Sequence, residues 1–321
     1  MNITKRLVLA VATVAVASCG VIAVQTAPAK MASVTRGESA KNADVLFWEA
    51  LHSGDYNGLP QAIRALTAAY LQDTNDSVTA AHLGWAHIWR LAESSRLDEV
   101  PPTITDHAVL ARRYFQEAVA LDPSDARYLG FLGSTQLAEG NIHRDEKLTR
   151  TGYFTLLASI EAWPEFNLFT AGYMMSRLPA DSPRFKQGLE WQWQNLDVCV
   201  GEKVDRLEPD FTRYMSLAVE EGKKRVCWDS WIAPHNLEGF FLNMGDMLVK
   251  SGDWQTAKKV YSNAKLAPAF GNWKYASVLQ SRIDRAQDNV AVFSASAPGR
   301  GQPGERIMFD SNFSCMACHQ R

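Results

Sequence analysis

The chain has 321 residues, a formal net charge of −2, 21% charged residues and 46% hydrophobic residues, the profile of an ordinary globular protein. Near-neutral charge argues against a nucleic-acid binder of the polybasic kind. The one compact basic run, Lys223-Lys224-Arg225, follows Glu220-Glu221 and reads as a solvated helix end rather than a phosphate-binding patch.

At the N-terminus, Lys5 and Arg6 precede an apolar run from Leu7 to Ala17 that ends in small residues. That is the layout of an export signal, and the run is too short to span a bilayer. It closes on Val16-Ala17-Ser18-Cys19, which resembles the lipobox of bacterial lipoproteins. The resemblance implies removal of residues 1–18, a lipid on Cys19, and anchoring on the periplasmic side of the envelope. Gly20 after the cysteine favours the outer membrane. Cleavage after Ala27-Pro28-Ala29, releasing a soluble periplasmic protein, is the alternative. Residues 19–41 read as a spacer.

From residue 42 the chain has helical periodicity almost everywhere and no convincing alternating strand pattern, which predicts an all-α fold. The clearest unit runs from Asn236 to Pro268, with Phe241, Met244-Gly245, Gly252-Asp253, Ala257, Tyr261 and Ala264. Small residues let two antiparallel helices approach, aromatic residues fill the space between neighbouring pairs, and Gly252-Asp253 supplies the turn. A second copy has Leu83-Gly84 on its first helix and Ala111, Phe115, Ala118 and Pro123 on its second, separated by an insertion containing Pro101-Pro102. A third begins with Leu132-Gly133 and Gly140. Its second helix is expected at about 150–162, behind a polar insertion around 141–147. Weaker copies occupy about 42–75 and 165–200, and 205–231 reads as helical but off the pattern. This order and spacing resembles the tetratricopeptide repeat (TPR). The resemblance implies a TPR-like solenoid over 42–286 whose groove takes a redox partner protein or an envelope complex.

Of the five cysteines, Cys199 and Cys227 remain once Cys19, Cys315 and Cys318 have roles. An oxidising compartment would bridge them, a closure worth roughly 3–4 kcal/mol in the chain-entropy model. Two buried free thiols are the alternative.

Residues 287–304 read as a linker, because Ser294 to Gly304 is rich in Ser, Ala, Pro and Gly. Fully extended, the eleven residues from Ser294 to Gly304 reach at most roughly 35–40 Å. The tail, 305–321, holds Cys315-Met316-Ala317-Cys318-His319. Two thiols at this spacing reach the two vinyl groups on one porphyrin edge while the adjacent imidazole swings beneath the ring to iron. The pattern resembles the attachment motif of c-type cytochromes. That resemblance implies one covalent haem c, with Cys315 and Cys318 as thioether anchors and His319 as proximal ligand. A zinc site lacks a dedicated fourth ligand, and a thioredoxin-like dithiol lacks the strand-to-helix setting.

In cytochrome c the motif opens a domain that wraps the haem, and in class II cytochromes it sits on the last helix of a bundle. Here it follows a Pro/Gly linker, so the haem needs a pocket elsewhere. The repeat register puts Trp48, Trp85 and Tyr173 at one groove-facing position, His52 and Trp89 one turn further, and His82 one turn earlier. Candidate second axial ligands are His82 and His52, then His87, Met308, Met174 and Met244; the alternative is a five-coordinate iron open to small molecules. The expected role is single-electron transfer, with no substrate chemistry implied. Its rivals are a scaffold with a structural or sensory haem, and a haem peroxidase, for which no acid/base constellation is visible. The tail is expected either to fold back into its own groove or to enter a neighbour's and build a homo-oligomer.

Overall fold

The computed structural model describes Thr26, residues 30–295 and residues 305–321. Cys19 and the export signal lie outside these, as does 296–304 of the expected linker. Among the described residues all regular secondary structure is helical, as the periodicity predicts.

The helices follow one another as hairpins: α1 (Glu38–Ser53) with α2 (Leu59–Gln72), α3 (Ser77–Ala92) with α4 (Asp106–Leu121), and α5 (Ala126–His143) with α6 (Glu146–Ala162). They continue with α7 (Pro164–Met175) and α8 (Pro183–Val200), then α9 (Asn236–Ser251) and α10 (Trp254–Asn263). Each hairpin also packs on the next. Two short helices, α11 (Ala276–Asp284) and α12 (Ala286–Ser294), and one helical turn in the tail, α13 (Met316–His319), complete the chain.

Local chemistry sets the starts. The Asp76 carboxylate accepts the Val78 and Thr79 N–H groups at 3.0 and 3.1 Å, and Asp145 and Ser182 cap α6 and α8 in the same way. Tightest of the hairpins is α5 with α6, where Gly133 faces Gly152. A Cβ on Gly133 would lie 2.8 Å from the Leu156 nitrogen, and one on Gly152 would lie 2.8 Å from the Gly133 carbonyl oxygen, so the two backbones touch only because neither residue has a side chain.

Three boundaries differ from expectation. The polar residues around 141–147 are not an insertion: α5 runs to His143, Arg144 turns the chain in the left-handed region at φ 56°, and Asp145 caps α6 at once. The segment 205–231 is not an α-helix but carries only short 3-10 turns at Thr212–Leu217 and Lys223–Cys227. Pro209 and Gly222 interrupt it, and a cross-link at Cys227 fixes its end. Finally, α12 extends into the expected linker because Ala286, Asn289 and Phe293 are buried on one face.

The sulfurs of Cys199 and Cys227 are bonded, with Cα atoms 5.8 Å apart, which decides between the disulfide and the free thiols.

Most large apolar side chains belong to two cores. One gathers α1, α2 and α3; the larger gathers α8 to α12. The tail enters both: Met316 is buried in the first, while Ile307, Met308, Ala317 and Cys318 are buried in the second. Burying Met316 alone contributes about 1.5–3 kcal/mol.

Candidate functional site

The tail docks against its own chain, and polar contacts at both of its ends account for how. At its start, buried Asp246 accepts the Met308 N–H at 2.6 Å, the Tyr261 hydroxyl at 2.7 Å and the Arg282 guanidinium at 3.0 Å. Arg282 also pairs with Glu305 and donates to the Arg306 carbonyl. At its end, the Arg321 N–H donates to the His52 carbonyl at 2.8 Å, and the Gln320 side-chain amide donates to the Ser53 carbonyl at 2.9 Å.

Between these ends lies the Cys-x-x-Cys-His turn. Glu93, fully buried just after α3, accepts the N–H groups of Cys315 and Met316 at 2.8 and 3.1 Å on Oε1. Its Oε2 accepts the Trp89 indole N–H at 2.9 Å and Arg96 at 3.0 Å. A carboxylate against the free N–H groups of a helical turn is the favourable end of the peptide dipoles. The Ala317 carbonyl accepts the Trp273 indole N–H at 2.8 Å, the Cys318 carbonyl accepts the His235 N–H at 3.0 Å, and the Ser314 carbonyl accepts the Tyr173 hydroxyl at 3.2 Å. Gly239 faces Cys318 so closely that a Cβ there would lie 2.2 Å from the sulfur.

Cys315, Cys318 and His319 line one cleft with Trp85, Ile88, Phe131, Phe166, Phe169, Tyr173 and Phe240. Burial, then the Glu93 charge, raises the Cys315 thiol; burial, then the charges of Glu238 and Asp229, raises Cys318. Protonated buried thiols are inert as redox nucleophiles. The His319 Nδ1 lies 2.8 Å from the Ile232 carbonyl oxygen. A carbonyl only accepts, so Nδ1 carries the proton and Nε2 keeps its lone pair. Burial lowers the His319 pKa despite that hydrogen bond, which keeps the ring neutral.

The residues named from sequence as axial partners are distributed unevenly around this cleft. His82 does not line it: its Nδ1 is engaged with Asp44 at 2.6 Å, and its ring stacks on Phe47. His52 does not line it either, although its buried Nε2 has no hydrogen-bond partner. Its ring packs between Trp48 and Trp231, at 5.6 and 4.9 Å, and burial followed by the Arg321 charge lowers its pKa. His87 contacts His107 through their Nδ1 atoms at 2.7 Å and is pushed down to about 3 by burial, then by His107. Met244 is buried in the core, whereas Met174 and Met308 line the cleft. Of the aromatic positions, Trp85 stands edge-on to His319 at 5.6 Å and Tyr173 lines the cleft. Trp89 is instead a core residue, because Glu93 satisfies its indole N–H.

The residues on this wall suit a covalent porphyrin: two thiols, a neutral imidazole with a correctly held tautomer, and aromatic surroundings. The cleft encloses about 180 Å³, below the roughly 300–1,000 Å³ of ordinary cofactor sites. Among its lining side chains Phe166, Phe169 and Met174 are only half-buried.

Sequence reasoning missed Glu93, Asp246 and Trp273, whose partners lie far away in the chain. It also missed a buried acidic pair. Asp229 Oδ2 and Glu238 Oε2 are buried without a hydrogen-bond partner, and the His235 Nδ1 lies 2.8 Å from Glu238 Oε1. Burial, then the Glu238 charge, pushes Asp229 up to about 7. A carboxyl raised in the folded state contributes stability below its ordinary pKa of 3.8 and loses it as pH rises through 7. Asp229→Asn is therefore expected to gain melting temperature relative to the wild type as pH rises from 4 to 8. Parallel melting curves across that range exclude this role for Asp229.

No protein-family model, curated protein or solved structure matches this chain.

Proposed function

We propose that this chain is a lipid-anchored, periplasm-facing monohaem c-type cytochrome whose helical hairpins form a TPR-like array, passing single electrons to or from a partner protein. The observation that carries the reading is the convergence of Cys315, Cys318 and His319 on one aromatic cleft, with His319 Nδ1 committed to the Ile232 carbonyl. When bound, haem supplies a one-electron iron couple.

The chain's own residues would do the rest. Cys315 and Cys318 would hold a haem through thioether bonds, and the Ile232 carbonyl, by accepting from Nδ1, would leave His319 Nε2 as the ligand atom and raise its basicity. Glu93 and Trp273 hold the backbone of the turn on either side of the motif. The surrounding aromatic side chains exclude water, which limits the reorganisation that accompanies a change of charge.

Lipidation at Cys19 completes the proposal: labelled fatty acid is expected on the wild type and absent from Cys19→Ala. The purified holoprotein is expected to cycle reversibly between oxidised and reduced spectra without binding carbon monoxide. Carbon monoxide binding to the reduced form instead indicates an open iron and removes the simple electron-carrier reading.

One observation favours a second reading. The tail contributes buried residues to both cores, as a structural haem in a scaffold protein would require. Haem-free protein that captures the same partner with equal affinity would favour that scaffold.

A further inference from the structure

We infer that the Cys199–Cys227 disulfide is a positioning element for His319, fixing the segment 228–235 whose Ile232 carbonyl sets the tautomer and direction of the imidazole. This inference rests on the haem reading above.

Between the end of α8 at Val200 and the start of α9 at Asn236 the chain has no α-helix. The last part of that stretch, residues 228–235, is nevertheless the seat of the motif. Its Ile232 carbonyl accepts from His319 at 2.8 Å, and its His235 N–H donates to the Cys318 carbonyl at 3.0 Å. Trp228, Ala233 and His235 are buried, Asp229 accepts the Leu237 N–H at 2.9 Å, and Trp231 packs on Trp48 and His52, so the part with the least cover is the exposed stretch 230–232. Trp231 and Ile232 are 56% and 44% exposed, and the hydrogen bonds internal to the segment are few, among them Ser230 N–H to the Ala233 carbonyl at 3.0 Å. Exposed stretches of this kind open at lower free energy than the buried residues that flank them.

The two ends of this segment add the firmest anchors. The C-terminal end runs directly into α9. The N-terminal end is Cys227, covalently tied to Cys199 on the last turn of α8, and both cysteines are buried and line the same cleft as the motif. Without the bond, the stretch from 201 to 235 keeps its buried side chains Val204, Phe211, Tyr214 and Trp228 but loses its covalent tie to α8 next to the segment that seats the motif, and its conformational freedom rises. The Ile232 carbonyl, in the exposed part of that segment, is then held less firmly. An imidazole that loses the acceptor for its Nδ1–H is a weaker donor to iron, which makes the oxidised metal less stabilised.

The test compares holoprotein from the wild type and from Cys199→Ser/Cys227→Ser by amide hydrogen exchange and by redox potential. Covalent haem is expected in both. In the variant, exchange at residues 228–235 and 318–321 is expected to rise about tenfold or more, with α2 and α4, which do not touch this stretch, unchanged, and the midpoint potential is expected to move upward. Unchanged exchange in both segments, or an unchanged potential, overturns the inference. Should neither protein carry haem, the haem reading is what fails, and exchange alone decides whether the bridge seats the motif. If the double variant does not fold, phosphine reduction of folded wild-type holoprotein gives the same comparison with the same deciding outcomes, since thioethers resist phosphines.

Discussion

Produced with its export signal in a host that matures c-type cytochromes, the protein is expected to keep one haem through acid and denaturant extraction. The Cys315→Ala/Cys318→Ala variant is expected to lose all of it. A thioether is a covalent bond that survives unfolding, whereas coordination by His319 alone requires the folded cleft. The same variant is expected to keep its helical content, because both cysteines sit on one wall of a cleft and the changes remove one sulfur each. Truncations of that size in a partly open site cost on the order of 1–2 kcal/mol each. Haem released from the wild type by extraction removes the central proposal. Haem retained by the double variant does the same.

The second large effect is expected at Glu93. Its carboxylate receives hydrogen bonds from Cys315, Met316, Trp89 and Arg96 in a fully buried position. Glu93→Ala leaves two backbone N–H groups and an indole N–H without acceptors and Arg96 without its buried partner. Breaking such a pair costs about 3–5 kcal/mol, or roughly 10 °C of melting temperature at about 2–4 °C per kcal/mol. Glu93→Gln is expected to fall between. Its amide oxygen still serves the motif N–H groups, but its NH2 meets the Trp89 and Arg96 donors head-on. Proteolysis is expected to cut first near 305–321 in Glu93→Ala, since the lost contacts seat the tail. A melting temperature within about 2 °C of the wild type, less than 1 kcal/mol of effect by the same scale, shows that Glu93 is not the anchor.

Much of the fold was legible before any coordinates. The all-α class follows from apolar spacing. The hairpins follow from small residues such as Gly84, Gly133 and Gly245 recurring in a fixed order with aromatic ones. The polar stretch at 141–147 misled because polar residues also occupy the exposed ends of helices. The segment 205–231 misled because its periodicity competes with Pro209, Gly222 and a disulfide that fixes its far end.

For the candidate site, the sequence by itself determined the reactive set: Cys315, Cys318 and His319 are adjacent in the chain, so their spacing is readable without a fold. Which groups surround them was decided only by tertiary structure. Glu93 and Cys315 are 222 positions apart, and Asp246 and Met308 are 62 apart. The placement of His52 and His82 outside the cleft, with Met174 and Met308 on its wall, likewise depends on how hairpins rotate against one another. Spacing along a helix records which residues share a face. It does not record which distant backbone groups that face will meet, because those contacts are selected by packing and by the need to satisfy every buried donor at once.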